Sequence, residues 1–131
     1  MKIVYISNSI IPSRTANSIH VMKMCQAFAD NGHEVILLAP EYNNLEQNIS
    51  VFEYYGVKQN FEIKYIKFLN VNKIWSFSYA LNTYKFIKNL DNIDIVYGRE
   101  LKSCFFATKT SKNIKVEYEP HKPYDKHNFV D

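Results

Sequence analysis

Lys2-Ile3-Val4-Tyr5-Ile6, followed after one polar stretch and one helical pattern by Glu34-Val35-Ile36-Leu37-Leu38-Ala39, decides the fold of this chain. Each stretch is a short unbroken apolar run. A strand with one wet face alternates polar and apolar residues, so a continuous run means burial on both faces, the condition of a central strand in a parallel sheet covered by helices on both sides. Between the two runs, residues 18–31 place Val21, Met24, Cys25 and Phe28 at helical spacing. Asn17 or Ser18 is the expected N-cap and Gly32 the stop.

The same alternation continues outward. Residues 45–55 fit a helix through Val51, Phe52 and Tyr55, against the β-branched Ile49 and Val51. Residues 61–68 alternate, with Phe61, Ile63 and Tyr65 on one face and Lys64 and Lys67 disturbing the other, as on an edge strand. The longest helical pattern, residues 74–90, carries two apolar stripes, one with Phe77, Ala80, Leu81, Tyr84 and Ile87, the other with Trp75, Tyr79, Phe86 and Leu90. Both are expected to lie beneath neighbouring elements; the competing use is contact with a membrane surface. A short strand at 94–97, a helix at 100–112 and a strand at 115–119 complete the series. Residues 120–131 follow no pattern and read as a tail, disordered or pairing with a sheet edge.

Five strands alternating with four helices predict an α/β domain with a doubly wound parallel sheet. Right-handed crossovers set the strand order at 3-2-1-4-5. At 131 residues, with 47% hydrophobic and 22% charged side chains, the composition suits one such domain. Ten Tyr and nine Phe make the apolar material unusually aromatic, for a core or for a ligand. Net charge is +3, too little to argue for nucleic acid. It is unevenly spread: residues 1–56 hold three basic and five acidic side chains, residues 57–131 thirteen and eight. The second part therefore meets anions, or simply exposes solvated lysines.

Cys25 and Cys104 stand apart, without metal-ligand spacing, as suits a reducing, cytoplasmic setting. The start of the chain is broken by Ser7, Asn8 and Ser9 and makes no signal-peptide core. No apolar run approaches the ~20 residues that span a bilayer. A soluble protein is expected, with at most peripheral contact with a membrane's inner face.

In a doubly wound sheet the ligand lies outside the carboxyl ends of the strands at the switch point, here between the first and fourth strands. That geometry nominates Asn8, Arg14, Asn17, Ser18 and His20 from the first loop and helix start. It also nominates Arg99 and Glu100 after the fourth strand, and Glu119 and His121 after the fifth. Free N–H groups at the helix start suit a phosphate or a sugar hydroxyl, with charge from Arg14 and Arg99. The ordinary alternatives are a helix cap for Asn17 and Ser18 and a surface ion pair for Arg99 and Glu100. Three glycines, Gly32, Gly56 and Gly98, are too few for a dinucleotide fingerprint or a P-loop. No hydrolase elbow, zinc motif or carboxylate cluster is present, so neither metal nor cofactor is expected.

Several of these pieces resemble one family. Met-Lys-Ile-Val-Tyr-Ile-Ser at residues 1–7, Ala16-Asn17-Ser18-Ile19-His20-Val21, Asn31-Gly32-His33-Glu34-Val35 with Ala39-Pro40, Val96-Tyr97-Gly98-Arg99-Glu100 and Tyr118-Glu119-Pro120-His121 are similar, in order, to the N-terminal domain of family 4 glycosyltransferases of the GT-B fold. The resemblance implies a Rossmann-like, acceptor-side domain of a retaining, metal-independent enzyme. Such an enzyme moves a sugar from a nucleotide-sugar donor to a hydroxyl of a glycan or lipid-linked acceptor, in glycan or surface polysaccharide synthesis, and the second use of the 74–90 helix would be contact with such an acceptor. His121 matches the family histidine facing the transferred sugar, and Arg99 a basic or polar cleft position. Where the family often has a Gly-Gly pair near the donor phosphate, Ser13-Arg14-Thr15-Ala16-Asn17 stands here.

The donor-binding second domain with its Glu-x7-Glu motif is not in these residues. The chain is therefore expected to be inactive alone, and to self-associate through an exposed sheet edge. Two alternatives stay open: a non-catalytic module binding a nucleotide, a flavin or a protein, and a natural half that pairs with a separate donor-binding chain.

Overall fold

The structure, a computed structural model, describes residues 1–42, 50–110 and 113–119. Its elements run β1 (Lys2–Ile6), α1 (Ala16–Asp30), β2 (Glu34–Pro40), α2 (Val51–Tyr55), β3 (Glu62–Ile66), α3 (Trp75–Asn89), β4 (Ile95–Gly98), α4 (Leu101–Ala107) and β5 (Lys115–Tyr118). The strands form one sheet in the order β3-β2-β1-β4-β5, every pairing parallel. This is the doubly wound, Rossmann-like arrangement that the apolar runs predict.

β1 lies at the centre, with Val4 opposite both Ile36 of β2 and Val96 of β4. Its side chains alternate between two cores. Ile3 and Tyr5 join Val35, Leu37 and Ala39 beneath Val21, Met22 and Cys25 of α1. Val4 and Ile6 join Ile36, Leu38 and Val96 beneath Tyr79 and Ile87 of α3 and Cys104 of α4. Leu37 and Leu38, neighbours in sequence, are both fully buried on opposite faces. Each such side chain contributes on the order of 1.5–3 kcal/mol. β3 is half-buried at one edge, with Lys64 turned to solvent, as the alternation at 61–68 anticipates.

Element ends depart from the sequence reading in instructive ways. α1 begins at Ala16 because Thr15, not Asn17 or Ser18, is the N-cap: its Oγ1 accepts from the Ser18 amide at 3.2 Å. Two hydroxyl residues and an asparagine in close succession offer several caps, and the one that leaves Ser18 buried prevails. Glu100 is not the first turn of α4 but its cap, accepting from the Ser103 amide at 2.6 Å. Of the helix expected over 45–55, residues 45–49 lie outside the described residues, as do 111–112 at the far end of the expected fourth helix.

The larger correction concerns α3. Tyr79, Ala80, Thr83 and Ile87 are buried, but Phe77 is 52% and Leu81 37% exposed, so part of one apolar stripe faces solvent. Among the described residues no helix is long and apolar enough to cross a membrane.

Candidate functional site

The first residues past the central strands continue the parallel ladder by one step. The Ser7 amide donates to the Leu38 carbonyl at 2.9 Å, Arg99 to Ile6 at 3.0 Å and Glu119 to Gly98 at 2.8 Å. The strand ends are therefore level, and the residues that follow them stand side by side along the carboxyl edge.

Three of the nominated side chains meet there. Glu119 Oε1 lies 3.8 Å from Arg99 Nε and 3.4 Å from His20 Nε2, and the Tyr97 hydroxyl donates to Oε2 of the same carboxylate. Arg99 is buried, with 9% of its side chain exposed, while Glu119 and His20 are 33% and 44% open. A cation sunk in the wall beside a carboxylate that water can reach gives a fixed rim with mixed polarity. Burial, and next the hydrogen bond to the Glu119 carboxylate, push the Tyr97 phenol up to about 12. It stays a donor across the physiological range.

Gly98 allows this closeness. A Cβ there would stand 2.6 Å from Cys104 Sγ, 3.1 Å from Ile6 Cβ and 3.2 Å from the Ile6 carbonyl. Only glycine lets β4 end against β1 while α4 turns in behind it.

The remaining nominees are used differently. Ser18 is fully buried, its hydroxyl donating to the carbonyls of Thr15 at 2.9 Å and Ser13 at 3.1 Å, so it braces the loop. Asn17 donates to Ser9 Oγ, and its own Oδ1 is buried without a hydrogen-bond partner among the described residues. Asn8 is half-buried on the same loop. Glu100, 6% exposed, turns its carboxylate into the start of α4. Arg14 is exposed and lines a hollow of 380 Å³ with Ser13, Ile19, Tyr54 and Tyr55, a lining that includes none of His20, Arg99 and Glu119. His121 lies outside the described residues.

The loop itself is held by tyrosines that the sequence reading did not single out. Tyr79 of α3 donates to the Ser7 carbonyl, and reaches the Leu38 carbonyl at 3.2 Å. Tyr65 of β3 donates to Ile11 at 2.9 Å. Tyr55 of α2 donates to the Ser13 carbonyl at 2.9 Å and accepts from the Ser13 amide at 2.7 Å. The available clue was the choice of Tyr over Phe at positions patterned as core, since a buried phenol requires a partner.

With this geometry in place, the comparison with known families is decisive: the model of Glycosyltransferase Family 4 matches residues 18–130. The chain belongs to that family. No curated protein and no solved structure matches it significantly. The matched span takes in α1 from Ser18 onward with His20, the end of β4 with Arg99, and the end of β5 with Glu119. In this family 4 glycosyltransferase domain three of the nominated residues, His20, Arg99 and Glu119, thus meet at one edge of the sheet. Membership implies donor and acceptor substrates in general terms, and a site of this make-up can donate to a phosphate or sugar oxygen from Arg99 and His20 while accepting from a hydroxyl at Glu119.

Proposed function

We propose that the chain is the acceptor-side part of a retaining, metal-independent glycosyltransferase. The enzyme transfers a sugar from a nucleotide diphosphate donor to an acceptor hydroxyl, in the synthesis of a glycan or surface polysaccharide. The observation that carries the proposal is the meeting of His20, from the first turns of α1, with Arg99 and Glu119, the first residues past β4 and β5, at the carboxyl edge. His121, two residues beyond Glu119, is assigned by resemblance to the face of the transferred sugar.

Departure of a nucleotide diphosphate builds negative charge that must be met by preset donors in a closed, dry cleft. Arg99 supplies one such cation. Its contact with Glu119 holds the guanidinium at the rim, and the tyrosine-braced loop forms the adjoining wall. A single open edge leaves the cleft wet, so a second, donor-binding domain has to close over it, whether further along the same polypeptide or on another.

The test is nucleoside diphosphate release from a panel of nucleotide sugars, by the chain alone and together with a donor-binding domain encoded beyond Asp131 or separately. Turnover is expected only for the combination. Turnover by the chain alone would refute the division into two halves. Failure of the combination with every donor and acceptor class would refute sugar transfer itself.

A further inference from the structure

The outward side of the α3 and α4 layer is apolar near the starts of both helices and carries charge of one sign only. On α3, Phe77, Leu81, Lys85 and Lys88 follow one another at spacings of four, four and three, which puts them on a single face, and all are exposed. On α4 the outward residues are Leu101, 62% exposed, and Phe105, 55% exposed, beside the exposed Lys102. Phe106 joins the two helices, its ring 5.6 Å edge-on from Phe77 and 6.2 Å from Phe105. Lys109 holds its ammonium 5.0 Å from the centre of the Phe105 ring. The apolar and cationic groups therefore belong to one surface.

Residues 72–90 and 101–110 include five lysines, all exposed, and no Asp or Glu. An exposed apolar patch of this kind needs a cover, and the charge decides among covers. A second copy docked about a two-fold axis would set these lysines against their own equivalents. The centre of a soluble protein interface is depleted in lysine, whose mobile chain is costly to fix. An anionic bilayer meets both halves of the surface: rings and leucines enter the headgroup boundary, and lysine stems lie along it with their ammonium groups among lipid phosphates. We propose that the α3 and α4 face attaches the protein peripherally to anionic lipid membranes. Leu101 stands two residues after Arg99, so attachment would hold the Glu119 rim close to the lipid surface. The attachment itself does not rest on the sugar-transfer assignment.

Co-sedimentation of the purified chain with vesicles of phosphatidylcholine alone or mixed with phosphatidylglycerol tests this. Binding is expected only with phosphatidylglycerol, and most of it should be lost at about 1 M salt, where the screening length shrinks to about 3 Å. Lys85→Gln with Lys102→Gln should weaken partitioning by roughly fivefold per lysine. Leu101→Ser with Phe105→Ser should weaken it at least as much, while Lys23→Gln on α1, across the sheet, should leave it unchanged. Melting curves check that each variant is folded. No binding to anionic vesicles, equal binding to neutral ones, or an equal loss with Lys23→Gln would overturn the proposal. So would a concentration-dependent dimer dissolved by Phe105→Ser, which would assign the face to a second copy.

Discussion

Glu119, the first residue past β5, holds a carboxylate oxygen 3.8 Å from Nε of Arg99, the first residue past β4. Arg99→Ala leaves that carboxylate beside a hole. The expected cost is about 1–2 kcal/mol, below the 3–5 of a fully buried pair because Glu119 is one-third open. In the assembled transferase the same change should lower kcat/KM by about 10²-fold through loss of a donor to developing charge. Urea melts and steady-state kinetics check the two effects separately; a variant that loses stability but keeps full kcat/KM would make the pair purely structural.

Gly98→Ala is expected to destabilise by about 1–3 kcal/mol, since the new methyl group meets Cys104 Sγ at 2.6 Å and the β1 backbone behind it. Combining it with Cys104→Ala removes the nearest clash. The double variant should therefore be more stable than the two single effects added together, a non-additivity readable from chemical denaturation midpoints.

Thr15→Ala removes the side chain that caps α1 and should cost about 0.5–2 kcal/mol, with Thr15→Ser close to neutral. Asn17→Ala, within the helix, should not show the capping loss. Thermal melts of the three variants distinguish the observed cap from the one expected on spacing.

Alkaline pH should loosen the fold through Tyr97. Its pKa is pushed from the ordinary 10 up to about 12, so between those values the unfolded chain has released a phenolic proton that the native chain keeps. The native state then binds more protons, and stability falls as pH rises through that window while staying level below it. Tyr97→Phe should remove its share of the slope, up to one proton, measured as the dependence of unfolding free energy on pH.

Cys25 and Cys104 are both buried; burial pushes the first thiol upward and the second up to about 12, with the Glu100 carboxylate adding to the latter. Neither should react with iodoacetamide at about pH 8 while the chain is folded, and both should react once it is unfolded. Mass spectrometry of labelled native and denatured protein gives the count.

The topology was legible because it depends on a coarse quantity, the unbroken apolar runs at Ile3 to Ile6 and Val35 to Ala39, which only a sheet covered on both faces can bury. The location of the site followed from topology, since parallel strands of similar length must end together. Which side chains act there was less accessible. Ser18 and Glu100 looked like ligand contacts, yet local backbone donors and acceptors claimed them, a competition settled by small differences in loop geometry. Tyr97, indistinguishable by pattern from any strand aromatic, gained its role only from a partner twenty-two residues away. The outward Phe77 and Leu81 read as core because periodicity reports which residues share a face and not whether anything covers it.

The phenols of Tyr55, Tyr65 and Tyr79 reach the backbone between Ser7 and Ser13 from three separate elements. A segment without glycine, pinned at three points, works as a mould rather than a flap: its shape is set before any substrate arrives, and little ordering remains to be done at encounter. Swapping all three tyrosines for phenylalanine would keep the aromatic volume yet release the carbonyls. Such a variant should bind more slowly and less selectively, with amide hydrogen exchange from Ser7 to Ser13 accelerated while the strands beneath stay protected.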